Sequence, residues 1–145
     1  MALAALAWAA TAADLAIEQG KLTPDKPVSL AVTLSAGSEA PTGFQFDLEF
    51  DPAALDLSIE AGPAAKQASK GAQSRTLQPG KLRVLIIGFN RNTISDGVLA
   101  LIQVTSKGTG AGKTFPVHMT AASGTNADAK AVAVTAKDGS VTVSK

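Results

Sequence analysis

The chain has no cysteine, no tyrosine, one tryptophan and one histidine among its 145 residues. The lack of cysteine excludes disulfides, thiolate metal sites and a cysteine nucleophile. A single histidine, His118, excludes sites that need two imidazoles. The tryptophan, Trp8, lies in an apolar N-terminal stretch, so the body of the chain has neither a Trp nor a Tyr ring on which a sugar could stack.

A strong charge of either sign is also missing. Thirteen basic and 12 acidic residues leave a formal net charge of +1, and the basic residues are scattered along the chain. This gives no electrostatic reason to expect a nucleic acid or an anionic membrane surface as partner. The length fits one domain, which can bury a substantial core.

The N-terminal stretch "MALAALAWAATAA", residues 1–13, is shorter than the roughly 20 apolar residues that span a bilayer. It resembles the apolar part of a secretory signal peptide that ends in a small-residue cleavage site, although the usual basic n-region is missing. The alternative is an Ala-rich helix or an ordered terminal extension. We therefore expect a signal-like segment over 1–13 and a secreted or cell-surface domain over 14–145, with no membrane span in that domain.

The rest of the chain alternates with a period of two, and turn residues recur about every ten positions, which is typical of an antiparallel β-sandwich or barrel. The sequence predicts about nine strands, over 15–18, 28–34, 43–50, 55–59, 82–89, 98–106, 115–121, 131–135 and 140–143. The segment "AAKQASKGAQ" is predicted to form at most a helical turn that ends at Gly71.

Two segments illustrate what the alternation predicts. In "TGFQFDLEFDP", the apolar residues Phe44, Phe46 and Leu48 share one side, and Gln45, Asp47 and Glu49 share a side that is predicted to be solvated. In "LRVLIIGF", Leu85 and Ile87 point away from the predicted core. Either the segment 62–80 covers them, or they form an exposed apolar patch used for binding.

Three patterns suggest chemistry but fit it poorly. "GTGAGKTF" lacks the first Gly of a phosphate-binding loop at the required spacing and precedes a strand, so it is predicted to be a flexible hairpin loop. Asp47 and Glu49 are roughly 6.6 Å apart along a strand, the spacing of an inverting glycosidase pair, but nothing apolar surrounds them to raise a pKa. Asp51, Asp56 and the Asn126-Ala127-Asp128 stretch match no known calcium-binding loop.

His118 lies in "TFPVHMT", where Phe115, Val117 and Met119 define the core side. His118 and Thr120 are therefore predicted to point outward, and no motif links the histidine to a nucleophile. The sequence predicts no catalytic residues, no metal site, no cofactor and no enzymatic activity.

Four stretches in order resemble the cohesin domain, the receptor module of cellulosome scaffolds that also occurs in non-cellulosomal proteins. They are "KPVSLAVTLS", "TGFQFDLEFDPAALDL", "GKLRVLIIGFNRNTISDGVLALIQVTSKG" and "AKDGSVTV", of which the Phe50-Asp51-Pro52 strand end is the most specific. The resemblance implies an all-β, nine-stranded antiparallel jelly-roll β-sandwich related to carbohydrate-binding modules. It also implies binding of a calcium-loaded dockerin-like protein module on a flat sheet face.

Carried over by alternation, the resemblance assigns eight residues to that face: Gln45, Asp47, Glu49, Arg83, Leu85, Ile87, His118 and Thr120. Cellulosomal cohesins often carry Asn and Asp at the positions aligned with Gly43 and Gln45, so the resemblance is to the non-cellulosomal type. The alternatives are a carbohydrate-binding module, or a structural domain of a cell-surface or secretion assembly. Association of the larger assembly with polysaccharide is a further expectation.

Overall fold

A computed structural model describes residues 13–144. Residues 1–12, which hold almost all of the predicted signal-like segment, lie outside the described residues, as does residue 145. Ala13 belongs to the first strand and is buried, one residue earlier than the predicted domain boundary.

The described chain forms twelve strands and one short helix. The strands are β1 (Ala13–Ile17), β2 (Gln19–Leu22), β3 (Val28–Ser35), β4 (Pro41–Glu49), β5 (Leu55–Ala61), β6 (Gly71–Gln78), β7 (Lys81–Ile87), β8 (Gly97–Ser106), β9 (Thr114–Asn126), β10 (Ala131–Val132), β11 (Val134–Lys137) and β12 (Gly139–Val143). The helix is α1 (Pro63–Gln67). No helix within residues 13–144 is long and apolar enough to cross a membrane.

Two sheets pack face to face, which confirms the predicted jelly-roll sandwich. One sheet has the order β11-β1-β3-β8-β5; the other has the order β2-β12-β9-β4-β7-β6, with β10 paired to β9. Most neighbours are antiparallel, but β1 with β11 and β12 with β2 are parallel pairs.

The core lies between the sheets and is built mainly by alternation along the strands. On β4, Phe44, Phe46 and Leu48 point inward and are buried, as predicted. On β7, Leu82, Val84 and Ile86 do the same. Removing these aliphatic and aromatic side chains from water is the main favourable term that holds the two sheets together.

Twelve strands replace the predicted nine for three identifiable reasons. The short β2 and the polar β6 were missed, and the predicted strand over 131–135 is split into β10 and β11. β6 lies at a sheet edge and is exposed almost throughout, so it shows little of the alternating burial that would mark a strand in the sequence.

The segment 62–80 does not cover β7. It begins with α1, where Pro63 occupies the first turn and Lys66 N donates to Gly62 O. The helix packs on β8, and the chain then pairs edge-on with β7 as strand β6. The outward side of β7 is therefore open, and Ile87 is 42% exposed.

Strand β9 contains a bulge opposite β4. Gln45 pairs with Ser123 and Asp47 with Thr120, so the single residue Phe46 faces both Ala121 and Ala122. Ala121 adopts a left-handed conformation, with φ of 51°. An extra residue of this kind twists a strand and resets its alternation.

Candidate binding face

The outward sides of strands β6, β7, β4 and β9 form one continuous surface, which we call the outer face. Cross-strand pairing arranges it in rows, because residues directly opposite each other in antiparallel strands point to the same side. One row contains Gln73, Leu85, Gln45 and Ser123; the next contains Arg75, Arg83, Asp47 and Thr120. Beyond them, Glu49 pairs with Lys81 on one side and with His118 on the other.

All eight residues assigned from the sequence lie on this face. Seven fall in the rows above, and Ile87 lies two residues beyond Leu85 on β7, opposite Gly71. Their exposure differs in a way that alternation does not reveal. Ile87 and His118 are exposed, and all the others except Asp47 are half-buried.

The prediction that Asp47 is solvated is wrong. Asp47 points outward, yet only 1% of the residue is exposed, because Arg83 lies across it. Arg83 Nε donates to Asp47 Oδ1 at 2.9 Å and Nη2 donates to Oδ2 at 3.1 Å. These hydrogen bonds, together with the charge of Asp47, raise the pKa of Arg83. The carboxylate is thus occupied by Arg83, and it orients that guanidinium on the surface.

The polar edge of the face is also held by side-chain hydrogen bonds. Thr120 Oγ1 donates to Glu49 Oε2 at 2.8 Å. His118 Nδ1 lies 2.8 Å from Asp138 Oδ2, and Asp138 Oδ1 accepts a hydrogen bond from Met119 N. These two hydrogen bonds lower the pKa of Asp138, with the bond to His118 as the larger cause.

Sequence reasoning missed the link to Asp138, because the aspartate follows 20 residues later, between β11 and β12, with no motif to connect it to His118. Asp138 is the hydrogen-bond partner of the imidazole among residues 13–144.

The apolar centre of the face borders a shallow depression of about 220 Å³. Its lining residues are Gly43, Phe44, Gln45, Leu85, Ile87, Ser123, Gly124 and Thr125. A side chain at Gly43 would project here, since a Cβ atom would lie 3.1 Å from Ile86 O and 3.9 Å from Ile87 Cγ2. Because residue 43 is glycine, the depression stays open at this point and no side chain offers a hydrogen-bonding group there. Ser123 and Thr125 were not predicted, because the predicted strand ended at Ala121.

The acidic residues considered for calcium are used in separate local contacts. Asp51 Oδ1 accepts from Ala53 N, and Asp56 lies 3.6 Å from the Lys107 ammonium. Asn126 Oδ1 accepts from the backbone N–H groups of Asp128 and Lys130. Within residues 13–144, no three His, Cys, Asp or Glu side chains come together in a way that could hold a metal ion.

The "GTGAGK" stretch forms a loop between β8 and β9, but the prediction of a hairpin is wrong, because these two strands belong to different sheets and the loop crosses from one sheet to the other. Gly108, Gly110 and Gly112 all have positive φ values, and strand β9 follows directly. A phosphate-binding loop would instead lead into a helix, whose N-terminal amides bind the anion.

A jelly-roll sandwich that leaves one partly apolar sheet face open has the architecture of a binding module. The family profile of the cohesin domain matches residues 15–143, nearly the whole chain. The chain therefore belongs to the cohesin domain family, as its resemblance predicted, and cohesin domains are protein–protein interaction modules. A comparison with curated proteins finds no match.

Solved structures agree on the fold. The sixth cohesin of scaffoldin B from Acetivibrio cellulolyticus, solved with a mutant Cel5 dockerin, is 21% identical, with 92% of this chain and 99% of that chain covered and a TM-score of 0.79. The OlpA cohesin of Clostridium thermocellum, in complex with Doc918, is 15% identical, with 92% and 99% covered and a TM-score of 0.79. A non-cellulosomal cohesin from the archaeon Archaeoglobus fulgidus is 10% identical, with 93% of each chain covered and a TM-score of 0.75.

Proposed function

We propose that this chain is a receptor module that binds a dockerin-like protein module on its outer face. The observation that carries the proposal is the position of Leu85 and Ile87. Both point away from the core on a central strand, and the segment 62–80 leaves them uncovered. Partner-binding surfaces combine such an apolar centre with a polar rim.

The polar rim is supplied by the other six residues assigned from the sequence. Gln45, Glu49, Arg83 and Thr120 are half-buried and His118 is exposed, and the polar groups of all five can exchange hydrogen bonds with a partner. Asp47 has a different part in this proposal: its carboxylate is taken up by Arg83, and it fixes the direction of that guanidinium. The position of Gly43 and the neutral Gln45 favour a partner other than a cellulosomal dockerin.

The test places a charge in the apolar centre. Ile87→Asp is expected to abolish binding to calcium-loaded dockerin modules, measured by calorimetry against a panel of them, and to leave the melting temperature nearly unchanged. The double variant with Leu85→Asp should give the same result. A matched control is Leu101→Asp, because Leu101 is half-buried and pairs with Ala31 and Glu60 on the other sheet.

Two outcomes would count against the proposal. One is a large loss of stability in Ile87→Asp, which would show that this residue belongs to the core. The other is binding that survives Ile87→Asp and disappears in Leu101→Asp, which would move the interface to the other sheet. A pull-down from the native secreted fraction, repeated with both variants, identifies the natural partner.

We further propose that the module works outside the cytoplasm, at the cell surface or in the medium, and that the assembly it joins associates with polysaccharide. Cohesins are typically extracellular or cell-surface modules, and residues 1–13 have the composition of a signal peptide core. N-terminal sequencing of the protein recovered from its native host would show whether cleavage occurs near Ala10 to Ala12. Affinity gels containing glycans test whether the assembly, rather than this domain, is retained.

A further inference from the structure

Phe89 is the most exposed large apolar side chain among residues 13–144. It is fully exposed, whereas Leu77 and Ile87 are 40% and 42% exposed. The sequence predicted it as the last residue of a strand, but β7 ends at Ile87 and Phe89 lies in the loop that follows. Its ring contributes almost nothing to the core, so folding does not explain its presence there.

The backbone on both sides of Phe89 is nevertheless tightly held. Lys70 Nζ donates to Asn90 O at 3.0 Å and to Asn90 Oδ1 at 2.6 Å, and Asn90 Nδ2 donates back to Ser69 O. Asn92 N donates to Asn90 Oδ1, and Asn92 Nδ2 to Ala68 O. We call these three residues, Lys70, Asn90 and Asn92, the loop clamp.

Gly88, on the N-terminal side of Phe89, allows the loop to pack closely against the loop clamp. A Cβ atom at this position would lie 2.7 Å from Ser69 O and 3.0 Å from Lys70 Cδ, so only glycine allows the loop to approach the 68–70 segment this closely. The residue before Phe89 and the residue after it are therefore both fixed, and the aromatic ring between them is held out in solvent.

The charge around the clamp is positive and unmatched. Lys70 is only 4% exposed, and burial lowers its pKa. Arg91, the next cation along the loop, donates only to the backbone carbonyl of Ala127. Within residues 13–144, neither side chain has a carboxylate within ion-pair distance. The opposite end of the outer face carries charges of both signs, since Glu49 lies opposite Lys81 and Asp138 is hydrogen-bonded to His118.

We propose that Phe89 is the main anchor of the outer face, that Lys70 is the residue that positions it, and that the dockerin-like partner receives the ring in an apolar pocket flanked by carboxylates. This inference rests on the proposed function. Phe89 follows Ile87, the last residue of β7 on the outer face, by two residues, and Arg91 follows Phe89 by two more. A loop backbone that is fixed before binding loses little entropy when a partner covers the aromatic side chain it carries, and such pre-organised aromatic residues are common among dominant interface residues.

The first test is Phe89→Ala in the full chain. We expect the affinity for the bound dockerin to fall at least about 30-fold, the threshold of a dominant interface residue, with no change in melting temperature. The carboxylates of the partner are tested with salt and with Arg91→Gln. Affinity should fall as ionic strength rises, and the slope should be smaller in the variant.

The second test addresses Lys70 as a positioning residue. Lys70→Met should increase backbone motion at residues 88–92, measured by ¹⁵N relaxation, and weaken binding by roughly 2- to 12-fold through the added ordering of the ring. Lys66→Met is the control, because Lys66 is an exposed lysine on α1 outside the clamp. Equal effects of the two substitutions would overturn the positioning role.

Three results would overturn the anchor. If Phe89→Ala binds normally while Ile87→Asp does not, the outer face binds the partner without Phe89 and only this inference fails. If the unaltered chain binds no dockerin in the panel, the proposed function and this inference fail together. If glycan-containing gels retard the chain and Phe89→Ala removes the retardation, the ring stacks on a sugar and the partner is a carbohydrate.

Discussion

Arg83 covers Asp47: the side chain of Arg83 is 40% exposed, while the side chain of Asp47 beneath it is 2% exposed. The pair lies directly across two central strands of the outer face. The two partners therefore differ in what their removal leaves behind. Without Asp47 the guanidinium can turn to water, but when an apolar side chain of similar length replaces Arg83 the carboxylate stays covered and is left unpaired.

Arg83→Met should accordingly destabilise the domain more than Asp47→Asn does. An unpaired buried acceptor costs roughly 1–3 kcal/mol and more when it is charged, and in Arg83→Met that acceptor is the Asp47 carboxylate. Urea unfolding at neutral pH measures the difference. Arg75→Met is the matched control, since Arg75 pairs in register with Arg83 but has no carboxylate partner among residues 13–144. Equal midpoints for the Arg83 and Arg75 variants would contradict the prediction.

Asp138 should make part of the folding stability of the domain depend on pH in the acidic range. The hydrogen bonds from His118 and Met119 lower its folded pKa below the ordinary value of 3.8, so the folded state favours the carboxylate. This contribution is present above pH 3.8 and is lost as the pH falls through the lower folded pKa. Asp138→Asn should therefore melt a few degrees below the unaltered chain at pH 7, and the gap should narrow as the pH falls below 3.8.

Calorimetric scans of both proteins across pH 2–7 measure that gap. Asp128→Asn serves for comparison, because Asp128 is exposed and its carboxylate has no hydrogen-bond donor among the described residues. A gap for Asp138→Asn that persists unchanged at pH 2 would show that the substitution acts through packing rather than through charge.

Gly80 should tolerate no side chain in the turn between β6 and β7. Its φ is +83°, and a Cβ atom would lie 2.7 Å from Phe50 O and 3.0 Å from Pro52 Cδ. Gly80→Ala is expected to lower the free energy of unfolding by about 1–3 kcal/mol, the range for a residue forced into such backbone geometry. Gly71→Ala, at the other end of β6, should change it little, because a Cβ atom there meets nothing within 4 Å. Chemical denaturation measures the free energy of unfolding of both variants, and equal losses in the two would contradict the prediction.

Much of the fold could be predicted because alternation is strong where burial is strong. The predicted strands over 28–34, 55–59 and 98–106 match β3, β5 and β8 to within two residues at each end. β6 could not be found in this way, because an exposed edge strand needs no alternating apolar residues. Its place is set by pairing with β7, a contact between distant parts of the chain that no local pattern encodes.

The sequence predicted the outline of the candidate site but not its details, because those details depend on contacts between distant parts of the chain. Alternation places Gln45, Leu85 and Thr120 on one side, and the sheet brings them together. It cannot show that Arg83 closes over Asp47, because that depends on side-chain lengths across two strands. Nor can it show that Phe89 lies beyond the end of β7. The strand ends at Ile87, and the hydrogen bonds of the loop clamp hold the backbone that follows.

The extra residue at Ala121 gives strand β9 two halves of opposite parity. Before it, Val117 and Met119 face the core; after it, Ala122 packs against the core and Gly124 takes the buried side. Deleting that one alanine would leave a regular strand, in which Ala122 lies opposite Phe46 and Ser123 stays opposite Gln45. Straightening the bulge with the alanine retained would instead turn the second half of the strand over and drive Ser123 and Thr125 toward the interior. The outward position of Ser123 and Thr125 thus depends on the left-handed conformation of Ala121.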